Sequence, residues 1–183
     1  FRADLVGDGW RVATTLQPAD LPPAAMRDTI IARYSAGAAR LDAVLFVGNF
    51  FPAYSGDFAP DGVAERIGAQ PADVYFGEMN GHWSDSIVYD AKGNGVQTPN
   101  ITNDGKFDQS VLPSDVELQV GRLSLGNLPV FESTETGLMK RYFAANHRFR
   151  TGVSAAVPER GYVETSFDNT QPEISANAFR NMG

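Results

Sequence analysis

The amino-acid sequence predicts an α/β fold, a three-layer sandwich in which helices cover both faces of a mostly parallel sheet. Two observations indicate this fold class. A continuous apolar run of strand length, Leu41–Phe51, follows a segment with helical periodicity, and a second strand-like run, Val116–Leu125, precedes the clearest helical segment of the chain. Strands that alternate with helices are typical of βαβ units, whose parallel strands are buried on both faces.

The first part of the chain is predicted to hold two strands around one helix. Gly9–Gln17 is rich in β-branched residues and begins at a glycine turn, so we predict a strand there. The helix has Asp20 as its N-cap and prolines in its first turn, and it ends at Gly37. Leu41–Phe51 then completes a right-handed βαβ unit. The apolar stripe of the helix is Met26, Ile30, Ile31 and Tyr34.

The middle of the chain is predicted to contain two long loops that carry function, residues 52–70 and residues 80–115. The first is rich in Pro, Gly, Asp and Ser, and it follows the carboxyl end of a buried strand, where open α/β sheets bind ligands. A short strand, Ala72–Met79, separates it from the second loop, which is acidic and has room for a small hairpin.

The last part of the chain is predicted to form a second βαβ unit. The strand Val116–Leu125 leads into a helix within residues 129–150, and Glu159–Phe167 is the next strand. Acidic residues lie near the start of that helix and basic residues near its end, as the helix dipole favours. Its apolar stripe is Phe131, Leu138, Met139, Tyr142, Phe143 and Phe149. Another helical pattern begins after Asp168, so we expect residues 1–183 to be a single α/β domain from a longer protein.

Composition excludes several functional classes. No stretch reaches the roughly 20 apolar residues that a membrane-spanning helix needs. The net charge is −7 and no Lys/Arg-rich patch is present, so we predict no nucleic-acid partner. The chain has no cysteine, no Gly-x-Ser-x-Gly elbow and no phosphate-binding glycine motif, so no catalytic or cofactor-binding residue is predicted. The amino terminus has no signal peptide and indicates a processed or truncated start.

Acidic residues concentrate between Tyr54 and Glu117, where eleven Asp and Glu face three Lys and Arg. Such a segment favours a cation or a cationic ligand, although a solvated acidic surface has the same composition. Calcium takes six to eight oxygen ligands in flexible geometry and can draw them from separate loops. The predicted calcium ligands are Asp104, Asp108, Asn100, Glu78 and Asp85.

The stretch around Gly105 is not an EF-hand. With Gly105 at the sixth position, Asn100 falls at the first and Val111 at the twelfth, so the bidentate acid of that motif is missing. The alternative interpretation is an acidic turn, because Asn-Asp-Gly is a strong turn signal and Asp side chains cap turns without metal. His82 and His147 are the only histidines, and we predict a surface or turn position for His82 and an exposed helical position for His147.

Four segments in this order resemble the amino-terminal part of the gingipain-type cysteine peptidases and related secreted bacterial proteins. They are "VLFVGNFFPAYSG", "PADVYFGEMNG", "SDVELQVGRLSL" and "LMKRYFAANHRFR", and the resemblance covers residues 41–150. Asp73, Tyr75 and Gly77 are the nearest matches to an Asp-x-x-Tyr-Gly segment of that family. Gly121 and Arg122 match its Gly-Arg strand end. The stretch "DGKFD" also resembles one in the related secreted group.

The resemblance implies a caspase/gingipain-like first half built from flavodoxin-like βαβ units, located outside the cell or on its surface. In that family the catalytic His and Cys lie in later strands, so this chain is expected to be non-catalytic, with the missing carboxy-terminal half as a partner. Asn49, Glu78 and Asn80 depart from the family pattern, which implies weaker metal binding. The alternative function is a calcium-stabilised extracellular binding or adhesion module.

Overall fold

The computed structural model describes residues 1–37, 40–58, 67–87 and 100–153. The chain divides into two compact units, one of residues 13–140 and one that combines residues 1–12 with residues 141–183. The helices are α1 (Arg2–Gly7), α2 (Pro23–Ser35) and α3 (Glu135–Arg150), and a 3-10 helix spans Asp73–Phe76. The strands are β1 (Ala43–Val47), β2 (Tyr54–Phe58), β3 (Gly68–Pro71) and β4 (Gln119–Leu123).

Two pairs of strands form the sheets of the larger unit. β1 and β4 are parallel, in register from Ala43 opposite Gln119 to Val47 opposite Leu123. β2 and β3 are antiparallel, and their register shifts beyond Ser55, near Gly56, whose φ of +85° favours glycine. The structure thus combines helices with strands and contains a small parallel sheet, which agrees with the α/β class.

Apolar side chains from α2, β1, the 3-10 helix and the segments between the elements form one core in the larger unit. α2 contributes two of its predicted stripe residues, β1 contributes one side chain, and the 3-10 helix contributes two adjacent aromatic rings. The Tyr75 ring stacks on Phe107 with centroids 4.2 Å apart, and Trp83 meets both rings edge-on. The buried residues of this core are Met26, Ile30, Phe46, Ala53, Tyr75, Phe76, Met79, Phe107 and Leu118.

The smaller unit joins α1 to the second half of α3. Phe1 stacks on Phe143 with ring centroids 4.4 Å apart, and His147 Nδ1 lies 2.6 Å from Asp4 Oδ1. The hydrogen bond from His147 holds the pKa of Asp4 below its usual range. The side chain of His147 is exposed, as predicted, and it also pairs with the carboxylate of Asp4.

Both long helices begin later than the sequence suggests. Pro22, not Asp20, is the N-cap of α2, although Gly37 does follow its end with a φ of +64°. α3 begins at Glu135 because residues 128–133 form turns instead, and Thr134 Oγ1 accepts a hydrogen bond from the Gly137 amide at 3.2 Å. Among the described residues, no helix is long and apolar enough to cross a membrane.

Two strand predictions were wrong. Residues 10–18 form neither strand nor helix, and Leu16 is 93% exposed, so this segment has no buried face to hold it in a sheet. Ala72–Met79 contains the 3-10 helix, because Tyr75 and Phe76 are adjacent and both buried, whereas successive side chains of a strand point to opposite faces. Without the first strand, the first predicted βαβ unit does not form.

Two further predictions need correction. Residues 52–70 are not all loop, because β2 and the first residues of β3 lie there. β1 is not covered on both faces: Phe46 is buried, but Leu45 and Val47 are exposed. The predicted strand Glu159–Phe167 and the helix after Asp168 lie outside the described residues, as do residues 88–99 of the predicted hairpin region.

Candidate functional site

Asp108 is the most enclosed carboxylate among the predicted ligands in the second loop. Its Oδ2 accepts hydrogen bonds from the Ser84 hydroxyl at 2.8 Å and from the Ser86 amide at 2.9 Å, and its Oδ1 accepts one from the Ile87 amide at 3.3 Å. Burial raises the pKa of Asp108, but these hydrogen bonds outweigh it and hold the pKa below its usual range. Asp108 is thus an ionised carboxylate that ties residues 84–87 to the strand-like segment after Gly105.

Asp85 lies in the segment that Asp108 contacts, and its carboxylate binds back to the Asn-Asp-Gly turn. Its Oδ1 accepts from the Asn103 amide at 2.7 Å and its Oδ2 accepts from the Gly105 amide at 2.8 Å. Asn103 and Gly105 have φ angles of 62° and 83°, in the left-handed region that an Asn-Asp-Gly turn adopts. The side chain of Asp85 therefore stabilises the tip of the turn that Asp108 follows.

Asp104 already faces a cation of the chain itself. Its Oδ2 accepts from the Lys106 ammonium group and from the Ile101 amide at 3.2 Å, and its Oδ1 accepts from the Lys106 amide at 2.9 Å. Burial raises the pKa of Asp104, but the contacts with Lys106 and Ile101 outweigh it, so the pKa lies below its usual value. The contacts of Asp104 thus agree with the interpretation of this stretch as an acidic turn, because both of its oxygens accept hydrogen bonds from backbone amides.

Asn100 is fully buried and only half of its amide is satisfied. Nδ2 donates to the Phe107 carbonyl at 2.8 Å, whereas Oδ1 is buried and has no hydrogen-bond partner among the described residues. A buried acceptor without a partner costs about 1–3 kcal/mol, unless water or a cation supplies the missing contact. Asn100 therefore has a buried side-chain oxygen that is left for a further partner.

Glu78 lies in a different place. It is fully buried in the larger unit, where Arg27 Nη2 donates to its Oε2 at 3.1 Å and Trp83 Nε1 donates to the same oxygen at 2.6 Å. Its Oε1 accepts from three further donors, which are the Asn80 amide, the Gly81 amide and the Ser114 hydroxyl. Four of the five predicted ligands therefore meet around the Asn-Asp-Gly turn, and Glu78 does not join them.

The environment of Glu78 keeps it ionised. Burial raises its pKa, but the hydrogen bonds from Ser114, Gly81, Trp83 and Asn80 together outweigh it and hold the pKa below its usual range. A general acid near neutral pH needs a raised pKa and access to a substrate, and this carboxylate has neither. Glu78 is thus a structural anchor.

Arg27 is the partner that sequence reasoning missed. In addition to the Glu78 carboxylate, its guanidinium donates to two backbone carbonyls, that of Tyr75 at 3.0 Å and that of Glu78 at 2.6 Å. The guanidinium carbon lies 5.0 Å from the centre of the Tyr75 ring. Burial raises the pKa of that Tyr75 phenol to about 12. Only the folded chain brings Arg27 and Glu78 together, because they are 51 residues apart in sequence.

Asp73 and Arg122 form a second link between distant segments. Arg122 Nε donates to Asp73 Oδ2 and Nη2 to Asp73 Oδ1, both at 2.7 Å, while Nη1 donates to the Phe50 carbonyl at 2.9 Å. A paired, planar geometry of this kind is the strong form of an arginine–carboxylate contact. It connects the end of β4, the 3-10 helix and the segment after β1.

Gly77 fits against the start of β4 more closely than any side chain permits. A Cβ at this position would lie 2.6 Å from the Leu118 carbonyl oxygen and 2.9 Å from Val120 Cγ2. The Gly77 carbonyl accepts hydrogen bonds from the amides of Glu117 and Leu118 at 3.0 and 2.9 Å. The segments 73–77 and 118–122 are thus joined twice, by the ion pair of Asp73 with Arg122 and by the close packing of Gly77 against Leu118 and Val120.

Within the described ranges, no group of three or more His, Asp or Glu side chains is arranged to hold a metal ion. His82 is exposed, in line with the prediction of a surface position. No protein-family model, no curated protein and no solved structure matches this chain.

Proposed function

We propose that this chain is the non-catalytic amino-terminal part of a secreted gingipain-like cysteine peptidase or of an inactive homologue. In this role it supplies the first half of a three-layer α/β sandwich, and a carboxy-terminal half supplies the nucleophile and its base. The chain itself has no cysteine, so it contains no thiol for such a reaction.

The observation that carries this proposal is the junction of Asp73, Gly77 and Arg122. Asp73 and Gly77 come from one segment of the resemblance and Arg122 comes from another. Asp73 forms a bidentate ion pair with Arg122, and Gly77 packs closely against Leu118 and Val120 of that second segment. β1 and β4, which come from two of the four similar segments, are neighbours in a parallel pair. If this chain has the scaffold of the gingipain-type family, the segments that resemble that family should be neighbours in the fold. Short matches that arose by chance would not be expected to be neighbours.

The coding sequence beyond Gly183 and a peptidase assay test the proposal together. We expect the natural chain to continue with a His-Gly and a later Cys, each at the end of a predicted strand. The full-length protein should then cleave peptides, in a reaction that a cysteine-directed inhibitor abolishes, whereas residues 1–183 alone should not. Peptide cleavage by residues 1–183 alone, abolished by active-site inhibitors, would contradict a non-catalytic role. A continuation without either residue would remove the peptidase assignment.

A second candidate function, a calcium-stabilised binding or adhesion module, is favoured by one observation. Within the part of the chain that the structure describes, no donor contacts the buried Asn100 Oδ1, which lies beside the turn that Asp85 contacts and Asp108 follows. Each oxygen of Asp85 has one hydrogen bond to a backbone amide, which leaves lone pairs for a cation. Asn100, Asp85 and backbone carbonyls are accordingly the ligands that this function would use.

Calcium should raise the melting temperature if this second function is right. Extracellular calcium modules bind with Kd of about 0.1–1 mM, so about 10 mM Ca²⁺ should add about 1.4–2.7 kcal/mol to the free energy of unfolding. For a chain of this size, that corresponds to a rise of about 3–10 °C by calorimetry. Asp85→Asn should reduce the rise, and Mg²⁺ at the same concentration serves as the ion control. Equal melting temperatures in Ca²⁺ and in EDTA, with the site shown to be neither pre-filled nor inaccessible, would contradict it.

A further inference from the structure

A cavity of about 300 Å³ lies in the larger unit, where the end of β3 approaches the segment Gln109–Leu112. Pro71 and Val74 line it from the side of β3 and the 3-10 helix, and Val111 and Leu112 line it from the other segment. Ser55 and Trp83 also line the cavity. This volume is at the lower end of the range for small-molecule sites.

The described lining of the cavity carries no charge. Its residues are aliphatic, aromatic, hydroxyl or amide in character, although the surrounding sequence is strongly acidic. An ionised group that entered would lose its water without gaining an opposite charge, which is unfavourable. The cavity therefore selects against charged ligands.

Several polar groups of the lining are already paired within the protein. Gln109 Oε1 accepts from the Ser84 amide at 3.2 Å, and Gln109 Nε2 donates to the Ser84 hydroxyl at 2.8 Å. The Ser55 hydroxyl donates to the Gln109 carbonyl at 2.7 Å, and Trp83 Nε1 donates to Glu78. A sugar would need many new hydrogen bonds from such groups, so an apolar ligand fits better than a polyol.

The wall is held in place before any ligand arrives. The Trp83 ring is fixed by its hydrogen bond to Glu78 and by edge-on contacts with Tyr75 and Phe107, at centroid distances of 5.1 and 5.7 Å. By contrast, Val111 is 82% exposed and Leu112 is 44% exposed at the rim. A ligand would cover these apolar side chains without having to order Trp83, which lowers the entropic cost of binding.

We propose that this cavity binds an uncharged, mainly apolar group of about the size of one aromatic side chain. Such a group reaches the site either as a free small molecule or as a side chain of a peptide. The cavity would recognise both in the same way, through apolar contact with Trp83, Val111 and Leu112 and through the exclusion of charged groups.

Three probes of equal ring size test the exclusion of charge: benzyl alcohol, benzylammonium and benzoate. The chain has two tryptophans, so Trp10→Phe identifies the Trp83 indole N–H resonance in ¹H–¹⁵N spectra. Benzyl alcohol should shift it saturably, with Kd of about 1–10 mM for so small a ligand, and each ion should bind about tenfold more weakly. N-acetyl-phenylalaninamide distinguishes the sources: tighter binding than benzyl alcohol indicates a peptide side chain, and weaker binding indicates a free small molecule.

Two valine variants provide the matched comparison. Val111→Asp places a carboxylate at the rim, so it should weaken benzyl alcohol binding about fivefold or more and shift the preference towards benzylammonium. Val130→Asp changes an equally exposed valine that does not line the cavity, at 81% exposure, and should leave binding unchanged. The proposal is overturned if the three probes bind equally, if both variants behave alike, or if no probe shifts the Trp83 resonance saturably.

Discussion

Glu78→Ala should lower the free energy of unfolding by about 3–5 kcal/mol, because it removes one partner of a buried ion pair. The change leaves the Arg27 guanidinium without its carboxylate and leaves the Trp83 indole N–H and the Ser114 hydroxyl without their acceptor. Buried donors without acceptors add to the loss. Urea unfolding followed by circular dichroism measures the effect as a lower midpoint with an unchanged slope.

Glu132→Ala is the matched control for this prediction. Glu132 is exposed in the turn before α3, so its truncation should change the free energy of unfolding by no more than about 0.5 kcal/mol. Similar losses in the two variants would show that the buried network around Glu78 does not stabilise the larger unit.

The dependence of the free energy of unfolding on pH, measured at acid pH, tests the role of Glu78 a second time. Its pKa is lowered in the folded chain, so its contribution to stability is complete above the range in which a free glutamate titrates, about pH 4.3. That contribution is lost as the pH falls through the lower, folded pKa. Glu78→Gln has no titrating group at this position, so the difference in stability between the native chain and this variant should shrink over that window. A difference that stays constant there would contradict the lowered pKa.

Gly77→Ala should also be strongly destabilising, by about 3 kcal/mol, through overpacking. The φ of Gly77 is −106°, which alanine adopts without strain, so the cost comes only from the new Cβ. That atom would lie 2.6 Å from the Leu118 carbonyl oxygen, and backbone cannot move aside as a flexible side chain can. Relief of the clash would lengthen the hydrogen bonds from Glu117 and Leu118 to the Gly77 carbonyl. Calorimetry should record a melting temperature lower by about 6–12 °C.

Gly126→Ala is the control for Gly77→Ala. Its Cβ would lie 3.4 Å from Glu135 Oε2, an ordinary contact with the end of a flexible side chain, and its φ is outside the left-handed region. We expect a change of about 0.5 kcal/mol or less. If Gly77→Ala were as mild as Gly126→Ala, the close approach of the 3-10 helix to β4 would be wrong.

The elements that the sequence predicted well are those with a long periodic signal. α2 and α3 show apolar stripes at helical spacing, and β1 lies in an apolar run of strand length. β4 lies in the strand-like run Val116–Leu125, in which apolar residues are interspersed with polar ones. Short apolar segments were predicted poorly. Residues 72–79 look like a strand by composition, because a short run of apolar residues has too few positions to distinguish the period of a strand from that of a tight helix.

The candidate site was predicted in part for a similar reason. The Asn-Asp-Gly turn was visible because its residues are adjacent, and Asn100, Asp104 and Asp108 meet there with Asp85. Glu78 was grouped with them because it is acidic and lies only seven residues from Asp85 in the sequence. Its side chain instead points to Arg27, and nothing in the sequence around either residue indicates that pairing.

The class of the fold, the two long helices, the positions of β1 and β4 and the acidic turn follow from the sequence, since each has a local pattern of apolar, polar or turn residues. Which charges are buried and paired depends instead on the tertiary structure. Glu78 with Arg27 and Asp73 with Arg122 join segments 51 and 49 residues apart. The stability of such a pair depends on burial and on the geometry of its hydrogen bonds, and both exist only once the core has assembled.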